Sequence, residues 1–392
     1  MKRKTPAKMS TEAPDSAVAH PPKFARRLLL SALHLIERRL FSENFIVANL
    51  TPYEEIYRDG IMSVRHYLPL EEDAIQIGDD IIEVKRDRLP VPLVFVPPLA
   101  ATSMIFDLLP NRSLIRYFLA LGFDVYLLDW GEVTEEHYEL SLETYVLSWM
   151  PAAMKAVRED SGQTEVSCFC YCMGGLLTLM YAATADDTGL RNVVTVASPI
   201  DMHQSGVAGR ILTAVYRPAQ IVSRLLNFSL MDLPARYLHV PGWLNSLVFK
   251  LTNPLGSVIN YWELLVNLWD REFVISHTTV SRWFDDMVDY PGQTIKEMTV
   301  SMMINNEMAG GRLRMGDQRA EFDNIKCAIL AFAGADDRLV SPKSAHRLLE
   351  IVASKDKEFC VVPGGHAGVF AGSQAPALTW AVAAEWLLAR SL

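Results

Sequence analysis

Short runs of consecutive apolar residues, separated by longer stretches of helical periodicity, limit what this chain can become more than any other feature. The runs are residues 93–96, 125–128, 166–169, 193–196, 328–332 and 359–362. Helical stretches such as 112–121, 142–159 and 176–185 lie between them. A strand that is apolar on both sides must be covered on both sides. The alternation therefore predicts an α/β fold with a mostly parallel central sheet flanked by helices. Of 392 residues, 50% are hydrophobic and 21% charged, which supplies a core and rules out a chain disordered throughout.

The rhythm breaks once. About 130 residues separate the run ending at Val196 from the run beginning at Ala328. Long structureless loops are rare inside compact domains, and this segment is rich in Trp, Leu, Tyr and Met, including Trp243, Trp262, Trp269 and Trp283. It reads as a largely helical cap inserted at residues 202–325, with the core formed by 49–201 and 326–392. Residues 1–22 are Lys-, Pro-, Ser- and Thr-rich and read as a disordered tail. In residues 23–48, Leu29, Leu33, Ile36 and Leu40 recur at helical spacing between arginines. This predicts an amphipathic helix packed on the main domain, with contact to a partner or a membrane surface as the sharper alternative.

The chemistry concentrates where a strand meets a helix, in Val166-Ser-Cys-Phe-Cys-Tyr-Cys172-Met-Gly-Gly. Hydrolases of the α/β type hold their nucleophile in a G-x-S-x-G turn at this place. Here Cys172 stands at the nucleophile position, Gly174 and Gly175 follow it, and Cys170 fills the upstream glycine position. Cys168 and Cys170 alternate along the strand and read as small buried hydrophobes. Cys172 lies past the strand end at a helix N-terminus, which stabilises a thiolate.

The chain order of such sites is nucleophile, acid, histidine. After the run at 328–332 comes Gly334-Ala-Asp-Asp337, where Asp337 is the expected acid and Asp336 the fallback. After the last run comes Pro363-Gly-Gly-His366-Ala-Gly, where His366 is the expected base. The oxyanion hole needs two backbone N–H groups. Met173 supplies one. Leu99 or Ala100 supplies the other, because Pro97 and Pro98 have none. Asp129 ends a strand but precedes the nucleophile, so it reads as structural.

Composition closes several other routes. Net charge is −9, against non-specific nucleic-acid binding as the main activity. The five cysteines contain no CxxC pair, so neither a disulfide framework nor a zinc knuckle is expected, and no metal site or dinucleotide fingerprint is visible. No apolar run approaches the ~20 residues that span a bilayer, so no transmembrane segment is expected. The basic start lacks the apolar stretch of a secretory signal. The default location is the cytoplasm.

Together, Pro97-Pro98, the segments 106–114 and 125–131, Tyr171-Cys-Met-Gly-Gly175, Gly334-Ala-Asp-Asp337 and Gly364-Gly-His-Ala-Gly368 resemble the polyhydroxyalkanoate synthases. Trp283-Phe-Asp-Asp286, Tyr290-Pro-Gly292 and Asn305-Asn-Glu-Met-Ala-Gly310 extend the resemblance through the insertion. It covers about residues 45–390, and the length resembles the short catalytic subunits of two-component enzymes. The family pattern is G-x-C-x-G-G, and this chain departs from it at Cys170. It also carries Arg338 where a histidine often follows the acid.

The resemblance implies an α/β-hydrolase fold and an acyltransferase that polymerises (R)-3-hydroxyacyl-CoA into polyester, with release of CoA. It implies a Cys172–Asp337–His366 triad and no cofactor, coenzyme A entering only as part of the substrate. It also implies a second synthase subunit or a homo-oligomer, and association with polyester granules. A thioesterase or ester hydrolase with the same cysteine, and a non-catalytic granule- or partner-binding homologue, are the alternatives.

Overall fold

The computed structural model describes residues 24–205, 209, 230–251 and 254–391. The expected tail at 1–22 lies outside the described residues, as does part of the insertion. Eight strands form one sheet: β1 (Tyr53–Asp59), β2 (Met62–Tyr67), β3 (Leu93–Val96), β4 (Val125–Asp129), β5 (Val166–Tyr171), β6 (Leu190–Val196), β7 (Ala328–Gly334) and β8 (Lys357–Val362). Their spatial order is β1-β2-β4-β3-β5-β6-β7-β8. The six strands from β3 onward run parallel, and β2 pairs antiparallel with both β1 and β4.

The six apolar runs sit inside the six parallel strands. The β1–β2 hairpin was not anticipated. Its first strand, Tyr53-Glu-Glu-Ile-Tyr-Arg-Asp59, is rich in charged residues and mostly exposed, as suits the edge of the sheet.

Successive side chains on a strand point to opposite faces. Val94, Val96, Cys168, Cys170 and Val193 enter one core cluster. Leu93, Phe95, Phe169, Tyr171, Val194 and Val196 enter the other. Helices α3 (Met150–Ser161) and α4 (Met173–Thr184) cover the first face. Helix α2 (Leu114–Ala120) and the last helix, Ala381–Leu388, cover the second. Helix α3 ends at Gly162, whose φ of 69° is the left-handed conformation that closes a helix without strain only for glycine.

The insertion holds helices α5 (Gly242–Leu251), α6 (Pro254–Asn267) and α7 (Arg271–Asp285), and it also holds a two-stranded ribbon, Arg312–Met315 with Gln318–Glu321. Leu313, Met315 and Ala320 of the ribbon are buried in the first cluster.

Helix α1 (Phe24–Leu40) differs from expectation in length and in docking. It stops at Leu40, and a single 3-10 turn, Ser42–Phe45, follows. It rests on the insertion and not on the sheet. The buried His34 ring bonds the Leu268 carbonyl at 2.7 Å, and Glu37 pairs with Arg271 at 2.7 Å. The periodic residues Leu29, Leu33, Ile36 and Leu40 stay exposed. The docking face is polar, so the apolar stripe that defined the helix in sequence is left outward.

Leu330 of β7 is fully buried, and Leu330→Ala should destabilise the fold by about 2–5 kcal/mol in denaturant unfolding.

Candidate active site

Strand β5 delivers Cys172 into the space above the C-terminal edge of the sheet. Its backbone has φ 49° and ψ −115°, a conformation disfavoured for any residue with a Cβ. Three hydrogen bonds hold it there. The Cys172 N–H donates to the Val196 carbonyl at 2.8 Å. Its own carbonyl accepts from the Gly175 N–H at 3.1 Å and from the Ser198 hydroxyl at 2.9 Å. The two glycines are steric requirements. A Cβ on Gly174 would lie 2.2 Å from the Val96 carbonyl oxygen, and one on Gly175 would lie 2.1 Å from the Ser198 hydroxyl oxygen.

Cys170, in the place of the usual upstream glycine, is accommodated beneath the turn. It is fully buried, and its thiol donates to the Thr178 hydroxyl at 3.2 Å. That hydroxyl in turn donates to the Gly174 carbonyl at 2.9 Å. The extra side chain therefore joins the turn to the first turns of α4. Cys168 is also fully buried, and burial together with its neighbour Cys170 holds its thiol well above the ordinary range. It offers no thiolate.

The structure brings Asp337 and His366 to the same edge. The His366 Nδ1–H donates to Asp337 Oδ2 at 2.8 Å, with both residues buried. The other Asp337 oxygen accepts the Leu339 and Val340 N–H groups at 2.8 and 2.9 Å. Asp336 is exposed and takes no part. The acid loop and the histidine loop are pressed together, with the Asp336 N–H donating to the Gly364 carbonyl at 3.1 Å.

The Cys172 side chain stands next to His366 and acts on its imidazole. Burial alone would lower the imidazole. The Cys172 sulfur and the Asp337 carboxylate more than offset burial and hold it up at about 10.

Met173 opens α4, and the first N–H groups of a helix have no intrahelical partner. The loop after β3 lies against this turn, as the contact between Gly174 and the Val96 and Pro97 carbonyls requires. Leu99 is buried in the same cluster as Met173, and the Ala100 carbonyl accepts the Val288 N–H at 2.8 Å. Asp129 binds Arg65 and the Gly131 N–H, away from the triad.

Residues to which the sequence reading gave no role complete the surroundings. The Tyr171 hydroxyl donates to the His366 carbonyl at 3.2 Å and fixes the histidine loop from below. From the insertion, the Phe249 ring lies 6.0 Å from the His366 ring and 6.2 Å from Trp283. Tyr290 packs against the same cluster as Cys172. Ser198 follows a run of valines, and no motif marks it. Phe249 is one of many apolar residues on a helix, so only the fold could select it.

Comparison with known proteins places this geometry in a family. A family model described as serine aminopeptidase, S33 (Hydrolase_4) matches residues 111–369, well over half the chain. Among curated relatives, a Haloferax mediterranei protein named poly(3-hydroxyalkanoate) polymerase subunit PhaC is 27% identical over 343 residues, 87% of this chain. The match spans 64% of that relative's length. An Allochromatium vinosum protein of the same name is 27% identical over 325 residues, covering 81% of this chain and 88% of the relative. In structure, a soluble variant of Saccharomyces cerevisiae monoglyceride lipase aligns with a TM-score of 0.52 at 13% identity, over 87% of this chain and 95% of that one. The resemblance read from the motifs thus holds over most of the chain. With the eight-stranded sheet, the sharp turn after β5, and the acid and histidine loops after β7 and β8, the chain belongs to the serine aminopeptidase S33 (Hydrolase_4) family and has the α/β-hydrolase fold, with cysteine at the tip of its nucleophile turn.

Proposed function

We propose that this protein is a poly(3-hydroxyalkanoate) polymerase subunit, an acyltransferase that builds polyester from (R)-3-hydroxyacyl-CoA through an acyl-Cys172 intermediate. One observation carries the reading. A cysteine on a strained turn stands beside a histidine held by a buried carboxylate, in a chain whose curated relatives bear that name.

Cysteine suits this chemistry better than serine. Exchange of one thioester for another is nearly thermoneutral, so the acyl group stays activated for transfer to an alcohol. The Cys172 sulfur attacks the thioester carbonyl, and negative charge gathers on its oxygen. Met173 and either Leu99 or Ala100 supply N–H groups for that charge. The bond from carbon to the CoA sulfur breaks, and CoA leaves with the proton from His366. A 3-hydroxyl group then attacks the acyl-enzyme. His366 takes its proton, the new ester C–O bond forms, and the bond to Cys172 breaks. Asp337 holds the imidazole in orientation and stabilises its charged form.

Water competes with the 3-hydroxyl for the acyl-enzyme. The aromatic side chains of Phe249 and Trp283 beside His366 favour transfer over hydrolysis by keeping that space apolar. Work with a second synthase subunit or as a homo-oligomer belongs to the same proposal, on the similarity to relatives named as subunits.

Incubation with 3-hydroxybutyryl-CoA, following CoA and polymer together, tests the reading. Cys172→Ala should reduce CoA release to background, while Cys168→Ala keeps most of it. His366→Ala should remove essentially all activity, and Asp337→Asn should leave more than His366→Ala does. Stoichiometric free 3-hydroxy acid with no polymer would replace the polymerase by a thioesterase.

Titration of the imidazole by NMR gives a second check. The Cys172 sulfur is among the groups that hold the His366 value up at about 10, so Cys172→Ala should move it down. An unmoved value would break the proposed pair. Cap shielding gives a third. Phe249→Ala should speed alkylation of Cys172 by a bulky hydrophilic thiol reagent severalfold, and an unchanged rate would place the shield elsewhere.

A further inference from the structure

We propose that the outward face of α1, together with the neighbouring cap helices, is a docking surface for an anionic phospholipid surface. A lipid phosphate would sit in the cavity between α1 and α7. This goes beyond the acyl-transfer chemistry and does not depend on it.

The apolar part comes first. Leu29, Leu33, Ile36 and Leu40 recur at i, i+4, i+7 and i+11 along α1, a single stripe on a helix. Each is more than half exposed, at 61, 52, 57 and 66%. The helix is anchored through its other side, by His34 to the Leu268 carbonyl, Glu37 to Arg271, and Arg27 stacked 4.4 Å from the Trp269 ring. Helix α6, which carries the buried Leu264 against Phe45, exposes Tyr261, Trp262, Leu265 and Val266. Proteins that work free in solution seldom leave such a set uncovered.

The polar part lies at the C-terminal end of α1, on its side toward α7. A cavity of about 350 Å³ opens between the last turn of α1 and α7. Arg38, Arg39, Arg282 and the carboxylate of Asp285 line it, and Arg282 is already paired with Asp286 and Glu43. The Asp285 carboxylate is already paired with Lys250. Neither Arg38 nor Arg39 has a carboxylate partner among the described residues. Thr278 also lines the cavity, and its buried hydroxyl has no hydrogen-bond partner among the described residues. Guanidinium groups and a hydroxyl donor are the groups that bind phosphate oxygens.

The combination selects the occupant. A partner helix would cover one stripe, whereas the exposed residues here spread over two helices. They include Trp and Tyr, which favour the boundary between water and lipid. Basic residues beside an apolar stripe are the pattern of a helix that lies in an anionic interface. Against the chain's net charge of −9, Arg38 and Arg39 are two adjacent cations with no carboxylate partner among the described residues. No helix among the described residues is long and apolar enough to cross a membrane, so the contact is peripheral. Trp243, Leu247 and Val248 are also exposed on α5, the helix whose Phe249 stands over His366. Docking and access to the site therefore share one helix.

Flotation of the full chain with vesicles of phosphatidylcholine, alone or mixed with phosphatidylglycerol, tests the proposal. The protein should float with the mixed vesicles, much less with phosphatidylcholine alone, and less as salt is raised. Leu33→Ser with Ile36→Ser should abolish flotation. Arg38→Gln with Arg39→Gln should weaken partition to the mixed vesicles roughly thirtyfold, as expected for two cations at an anionic surface. All four positions are at the surface, so the variants should melt as the parent does. Equal flotation with both vesicle types, or none with either, would overturn the proposal. So would a shift in melting temperature caused by inorganic phosphate without flotation, which would mean a free-anion site only. Loss of self-association in the leucine variant without any flotation of the parent would assign the face to a second copy instead.

Discussion

Everything in the site hangs on one strained residue. A side chain at φ 49° costs energy, and the chain around Cys172 is arranged to hold it there. The Val196 carbonyl, the Ser198 hydroxyl and the Gly175 N–H grip its backbone from β6 and α4. Gly174 allows the loop after β3 to touch the turn, which brings the Leu99–Ala100 region beside Met173. A methyl group at either glycine would push these pieces apart. The turn is thus the joint at which β3, β5, β6 and α4 meet, and the sulfur is presented by the packing of all four.

Charge is handled by the same economy of contacts. The site contains a carboxylate, an imidazole and a sulfur, all largely withdrawn from water. Asp337 is satisfied by two backbone N–H groups as well as by His366, so its buried charge has three donors. His366 donates to Asp337, and the neighbouring sulfur and carboxylate hold its imidazole well above the ordinary range against the effect of burial. The apolar residues of the cap lower the local polarity, which strengthens each of these interactions and disfavours water as a nucleophile.

Helix α1 illustrates how a correct local reading can mislead about packing. Its leucine spacing identified a helix, and the ordinary inference sent that stripe inward. The structure instead docks the helix through His34, Arg27 and Glu37 and leaves the leucines outward. Polar side chains can anchor a helix when they meet a carbonyl, a ring face and an opposite charge. Periodicity reports which residues share a face, but the partner determines which face is covered.

The six parallel strands were legible because continuous apolar runs have few other uses, and the triad because Cys172, Asp337 and His366 each follow a strand in the order this fold imposes. Local chemistry also marked Gly174 and Gly175, since a turn that sharp tolerates little else. The β1–β2 hairpin escaped because Tyr53-Glu-Glu-Ile-Tyr-Arg-Asp59 and Met62-Ser-Val-Arg-His-Tyr67 mix charged and apolar residues and contain no solid apolar run. The choice of Asp337 over Asp336 was confirmed only by the fold, which buries one and exposes its neighbour. Ser198, Tyr171 and Phe249 acquire their places from contacts across 26, 195 and more than a hundred residues of chain, and no local pattern encodes such distances. The amino-acid sequence by itself determined the parallel strands, the sharp turn and the three side chains that gather at its edge, because short-range sterics and burial dictate them. Tertiary structure alone decided what shields the sulfur, how Cys170 fits beneath the turn and which face of α1 meets the surroundings, because those depend on which surfaces remain once the sheet has closed its core.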